Sequence, residues 1–242
     1  MDLATYEQIF PHANVDGMLF HTPNQHCAWR VDTMYTKEPD TIEWLKSMQP
    51  GEVLFDVGAN IGIYSIFAAK RGVKVYAFEP ESQNFAILQK NIILNKLDNC
   101  KAFPICLSDC TKLDMLRLSG LLAGGSCHSF GADVDFHGTE RKFEVQQGSI
   151  SVRMDYAATF FEWPDHIKID VDGFEHLVLD GAGDLSRCKS ILCEMDSNRA
   201  EHMEWKDHLE WMGFKTDPEQ IKAARRTEGT FAGIGNIIFT KG

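Results

Sequence analysis

Asp56-Val57-Gly58-Ala59-Asn60-Ile61-Gly62 closes one short apolar run, and Glu79-Pro80 closes the next. Glycines at this spacing let a backbone turn sharply and come close to a ligand. An acid at the neighbouring strand tip accepts hydrogen bonds from both hydroxyls of a ribose. Dinucleotide folds place a glycine where this chain has Asp56, and a carboxylate there repels a pyrophosphate. It suits a cation instead, such as the ammonium of an aminoacyl group. S-adenosylmethionine carries such an ammonium, a ribose and no phosphate, so Asp56, Gly58, Asn60, Gly62, Glu79 and Pro80 point to that cofactor rather than NAD. Ser108-Asp109, after a third run, offers side-chain oxygens to an adenine amino group. An ordinary glycine turn with incidental acids is the bland alternative. Three successive strand ends with fitting polar groups weigh against it.

A second polar set lies further on. Asp170 and Glu194 end two later apolar runs, at adjacent strand tips facing the same side. Methyl transfer from a sulfonium to a hydroxyl needs the oxygen held about 3 Å from the carbon and its proton removed. Asp170 and Glu194 suit a base or, with the acceptor oxygen, ligands of a divalent cation such as Mg2+. Asp172 adds a third carboxylate. Read blandly, Asp170 caps the next helix and Glu194 pairs with a buried cation. Lys168 alternates with Ile167 and Ile169 in a buried strand and needs a carboxylate partner, which leaves a structural ion pair and a catalytic role equally open. His128 sits in the flexible stretch Gly124–Gly131, where an imidazole suits a base on a lid, against a loop histidine with no role. His202 and His208 read as solvent-facing, and Trp163, Trp205 and Trp211 as aromatic core or an acceptor wall.

Strands and helices must hold these tips. Val53–Val57, Val73–Phe78 and a weaker Ala102–Cys106 alternate with helical spacing at Ile63–Lys70 and, after a Ser82 cap, at Phe85, Leu88 and Ile92. That β-α-β-α-β order implies right-handed crossovers and a parallel sheet. From about 110 to 165 the rhythm stops, and Leu113–Leu118, Lys142–Gln146 and Ser149–Arg153 predict an insertion with its own strands, turning at Gln147-Gly148. The rhythm resumes at His166–Val171, a helix to Leu179, Ser190–Met195 and a helix over 201–212. Gly213–Thr216 and Asn236–Thr240 predict two closing strands, the last antiparallel because the link is too short for a crossover helix. Residues 17–35, broken at Pro23-Asn24, predict a small hairpin, and a short helix follows from Thr41. The division expected is an N-terminal extension over 1–40 and one domain over 41–242.

Phe55–Gly62, Phe78-Glu79-Pro80, Ser108-Asp109 and Ile167-Lys168-Ile169-Asp170-Val171-Asp172-Gly173-Phe174-Glu175 together resemble the FkbM family of class I S-adenosylmethionine-dependent methyltransferases. The likeness spans roughly residues 36–200. It implies an α/β, Rossmann-like, seven-stranded and mostly parallel sheet with an antiparallel last strand, helices on both faces and a β-rich insertion between strands 3 and 4. It implies O-methylation of a hydroxyl on a small metabolite, sugar or glycan precursor. Thr36-Lys37-Glu38-Pro39 resembles a family segment in which Lys37 contacts the cofactor.

Composition narrows the partners. The chain has 242 residues, 44% of them hydrophobic, enough for a sizeable core. Its net charge of −11 repels a phosphate backbone, and no basic patch offsets it, so no nucleic-acid partner is expected. No apolar run approaches a membrane span. Met1–Glu7 lacks a secretory pattern, and seven scattered cysteines with no CxxC fit free thiols in a reducing cytoplasm. Two rivals stay open: an NAD-linked oxidoreductase on a similar sheet, and a non-catalytic cofactor-binding scaffold.

Overall fold

A computed structural model describes residues 11–241, so the reading of Met1–Glu7 lies outside the described residues. Six strands form the central sheet: β3 (Val53–Val57), β4 (Lys74–Phe78), β5 (Cys100–Phe103), β10 (His166–Ile169), β11 (Ser190–Asp196) and β12 (Ile234–Thr240). Their order is β12-β11-β10-β3-β4-β5, all parallel except β12, which runs antiparallel to β11; the expected helix-free link before it is not found, because that link carries the helix Pro218–Ala224. Gly213–Thr216 does not become a seventh strand: Lys215 makes a single bridge to Thr240.

Every residue of β3 is buried because helices cover both faces. Leu54, Val75, Ala77 and Leu192 pack under α2 (Pro39–Ser47), α3 (Ile63–Lys70) and α4 (Ser82–Leu94). Phe55, Phe78, Ile167, Ile191 and Cys193 pack under α5 (Met154–Ala158), α6 (Glu175–Asp180) and α7 (Ala200–Trp211). A further helix, α8 (Pro218–Ala224), precedes β12.

The insertion builds its own sheet from β6 (Cys106–Ser108), β7 (Lys112–Leu118), β8 (Ser129–Phe130) and β9 (Val145–Arg153), in the order β6-β9-β7-β8. Two elements depart from the sequence pattern. Gln147-Gly148 is no turn, because β9 runs straight through it with Gly148 opposite Met115. The third sheet strand stops at Phe103, because Pro104 intervenes before β6.

The hairpin also sits elsewhere. β1 (His12–Val15) and β2 (Met18–His21) turn at Asp16-Gly17, both with positive φ, the geometry tight hairpins prefer. Asn24, expected in a hairpin break, instead caps α1 (Gln25–Asp32) by accepting from the Cys27 N–H at 2.8 Å. Met18, Phe20, Cys27, Val31 and Met34 are buried in the same core as Leu54 and Ile66. All seven cysteines are free. No helix among the described residues is long and apolar enough to cross a membrane.

Candidate functional site

A cavity of about 360 Å³ lies beyond the carboxyl ends of β3, β4, β10 and β11, where open α/β sheets bind ligands. Of the residues singled out from sequence, Lys37, Gly58, Asn60, Glu79, Pro80, Ser108, His128, Asp170 and Glu194 line it.

At one end the glycine turn and the tip of β4 meet. Gly58 has φ of +81°, and a Cβ there would stand 1.9 Å from the Asp170 carbonyl oxygen, so only glycine lets the two strand ends close up. Glu79 accepts from the Asn60 N–H at 2.7 Å and the Glu81 N–H at 2.8 Å. Burial nevertheless pushes its pKa up to about 8, those two N–H groups opposing the rise. Ser108 lines the cavity; Asp109 stands behind it, accepting from the Ser108 hydroxyl at 3.0 Å. Gly62 heads α3 outside the cavity, packed so closely that a Cβ would meet Leu88 at 2.3 Å.

The next group is a buried charge network. Asp56 and Lys168 are register partners on β3 and β10, on the face opposite Phe55 and Ile167. Asp56 therefore turns into the interior, 2.5 Å from the Ser65 hydroxyl and 3.8 Å from Lys168 Nζ, and does not line the cavity where an ammonium was expected to meet it. Burial raises its pKa, with Lys168 opposing. Lys168 also donates to Asp170 Oδ2 at 3.0 Å. Burial resists its charge, but Asp170, Asp56 and Glu38 outweigh that and hold it protonated. Asp170 stays ionised for the complementary reason: burial resists, and Lys168 and Lys37 win. Of this pair it is Asp170 that faces the cavity. Lys168 is thus bound as an ion pair, and nothing frees it to act as a base.

Beyond Asp170, Asp172 adopts a left-handed φ of +57° that directs it to the cavity. It accepts from the Cys127 N–H at 2.6 Å, and burial, then Asp170, pushes its pKa up to about 6. Glu194 takes an ion pair from Arg226 at 3.1 Å. Its pKa is pushed well up by burial and by Asp170 and Glu175, against Arg226. Carboxylate oxygens of Asp170, Asp172 and Glu194 lie within 4.8 Å of one another.

Residues 123–128 run as a strap along the cavity wall. Asn84 accepts from the Gly124 N–H at 2.7 Å, and the Gly125 carbonyl accepts from Asn60 at 2.7 Å and Asn84 at 3.1 Å. His128 follows, its Nδ1 accepting from the Ser119 N–H at 3.2 Å. That leaves the neutral ring's hydrogen on Nε2, which is buried without a partner, while burial lowers the ring's pKa. His128 is therefore a donor, not the base its loop position suggested.

Sequence reading missed His26, Trp29 and Arg30 on α1, and Arg226 and Phe231 before β12, all of which line the cavity. The Asn24 cap with Cys27 and Val31 one turn apart was the available signal for α1. Trp163, Trp205 and Trp211 line no part of it, and Trp211 is 82% exposed, so it is not core either. His202 is buried rather than solvent-facing, its Nδ1 accepting from the Asp196 N–H at 3.0 Å.

The sequence model described as "Methyltransferase FkbM domain" matches residues 56–216. A 52-residue stretch is 46% identical to the 31-O-demethyl-FK506 methyltransferase FkbM of Streptomyces tacrolimicus, covering 21% of this chain and 20% of that protein. A 91-residue stretch is 35% identical to the tRNA (guanine(37)-N(1))-methyltransferase of Leishmania braziliensis, covering 35% of this chain and 13% of that one. The chain thus matches a fifth or less of the length of these relatives. Among solved structures, a precorrin-6y C5,15-methyltransferase from Geobacter metallireducens aligns over 96% of this chain and 94% of its own, at 13% identity and a TM-score of 0.49.

Proposed function

The chain belongs to the FkbM methyltransferase family, and from that premise we propose that it moves a methyl group from S-adenosylmethionine to a hydroxyl of a small metabolite, sugar or glycan precursor. One observation carries the reading: a single cavity joins a buried, cavity-facing Glu79, able to take ribose hydroxyls, to a cluster of carboxylates at the next strand tips. Glu79, Asn60, Pro80 and Ser108 supply the nucleoside side; Asp170, which faces the cavity, takes over from Asp56 the pairing with the ammonium.

Bound there, the sulfonium supplies an already activated methyl. What remains for the chain is to orient the acceptor oxygen and take its proton. Lys168 is locked in its ion pairs, Asp170 is held ionised by Lys168, His128 presents a hydrogen, and Glu194 is engaged by Arg226. Asp172 is the group left: cavity-facing, with a pKa near 6 and one oxygen beyond the Cys127 bond. As the oxygen–methyl bond forms and the carbon–sulfur bond breaks, the hydroxyl proton passes to Asp172 and the bond electrons stay on sulfur.

The acidic trio fits a magnesium ion poorly, because burial pushes Glu194 and Asp172 toward their uncharged forms and Asp170 already shares its charge with Lys168, which leaves too little negative charge for a divalent cation. No step is assigned to a metal, and turnover should persist in excess chelator. Calorimetry with S-adenosylhomocysteine tests the reading directly, and no heat at millimolar ligand sinks it. Asp172→Asn should bind that ligand within about threefold of the parent while labelled methyl transfer to hydroxylated acceptors falls by about 10²–10⁴-fold.

A further inference from the structure

We propose that Arg30, on a helix outside the family-matched stretch, anchors the carboxylate of the cofactor's aminoacyl tail. The inference rests on the cofactor reading above. Beside the main cavity a smaller one of about 40 Å³ opens at the glycine turn. Its walls carry three cations, Arg30, Lys37 and Lys168, and one acid, Asp170. A zwitterionic tail needs that pairing: an anion for its ammonium and a cation for its carboxylate, close together.

Two of the cations are already engaged. Lys168 lies 3.0 Å from Asp170 and 3.8 Å from Asp56, and Lys37 lies 2.9 Å from Glu38. Arg30 differs. Its Nε donates to the Gly124 carbonyl, which fixes the plane of the guanidinium. Its two terminal nitrogens have no hydrogen-bond or ion-pair partner among the described residues. A planar fork with two unspent donors matches a carboxylate edge to edge, which a lysine cannot do. Arg30 and Asp170 both border the large and the small cavity, so the fork and the acid flank the passage from nucleoside to tail. The same guanidinium ties α1 to the strap, so tail binding and strap position share one side chain.

The test uses the full chain and two ligands in calorimetry: S-adenosylhomocysteine and its decarboxylated analogue, which keeps the nucleoside, sulfur and amine. Arg30→Met should weaken S-adenosylhomocysteine about tenfold or more and leave the analogue within about twofold. Arg30→Lys, which keeps the charge without the fork, should fall between and guards against a methionine variant that does not fold. Unchanged S-adenosylhomocysteine affinity in both variants overturns the inference. So does an equal loss for both ligands, which would make Arg30 a prop for the strap. Parent protein that binds neither ligand overturns the cofactor reading itself.

Discussion

Glu79 keeps a proton near neutrality because burial outweighs the two backbone N–H groups on its oxygens. Its pKa rises from 4.5 to about 8 on folding. Across that interval the folded chain holds a proton that the unfolded chain has released. Its stabilising share is therefore complete below pH 4.5 and disappears as pH climbs through 8. Glu79→Gln lacks this loss, so its melting temperature relative to the parent should climb between pH 5 and pH 9; a difference flat with pH would mean an ionised Glu79. Ribose hydroxyls favour the carboxylate, so nucleoside binding at pH 7 should release a proton, seen as a dependence of binding heat on buffer ionisation heat that Glu79→Gln abolishes. Glu79 and Gly58 were legible in the sequence because a strand tip and its turn are local. Arg30 was not, since no spacing records which distant helix closes a cavity. Asp56 fell between: its inward face follows from alternation, but only once the register with Lys168 is known.

Elements set the tolerances. The contact of 1.9 Å that a Cβ at Gly58 would make is with backbone on β10's exit, which cannot swing aside. Gly58→Ala adds left-handed strain to that clash, and denaturant unfolding should show a loss of about 2–5 kcal/mol. The strap depends on one side chain more than any other, because Asn84 serves both the Gly124 N–H and the Gly125 carbonyl. Asn84→Ala should cost about 1–3 kcal/mol and speed amide exchange over 123–127 while β3 and β4 stay protected. The parallel strands were readable because burial on both faces leaves unbroken apolar runs. The β9 strand was misread at Gly148 because a glycine in an exposed strand carries the same composition as a turn.

At the scale of the molecule, residues between 18 and 34 share the core under the sheet. Phe20 is fully buried against the glycine-turn side of the sheet, and Phe20→Ala should cost about 3–5 kcal/mol, a larger loss than most surface changes. Whole-chain charge bears on the acceptor. At −11 the protein should not retard tRNA in a mobility-shift assay even at low salt; retention there would redirect the acceptor toward the substrate class named for the Leishmania relative. Arg226 and Phe231 reach the cavity from the segment just before β12, whereas Glu79, Ser108 and Asp172 precede β11. A ribosome that has finished β11 has thus already made the wall that carries Glu79, Ser108 and Asp172. The last wall of the cavity is therefore the last to be translated, and the cavity is complete only once residues 226–231 have been made.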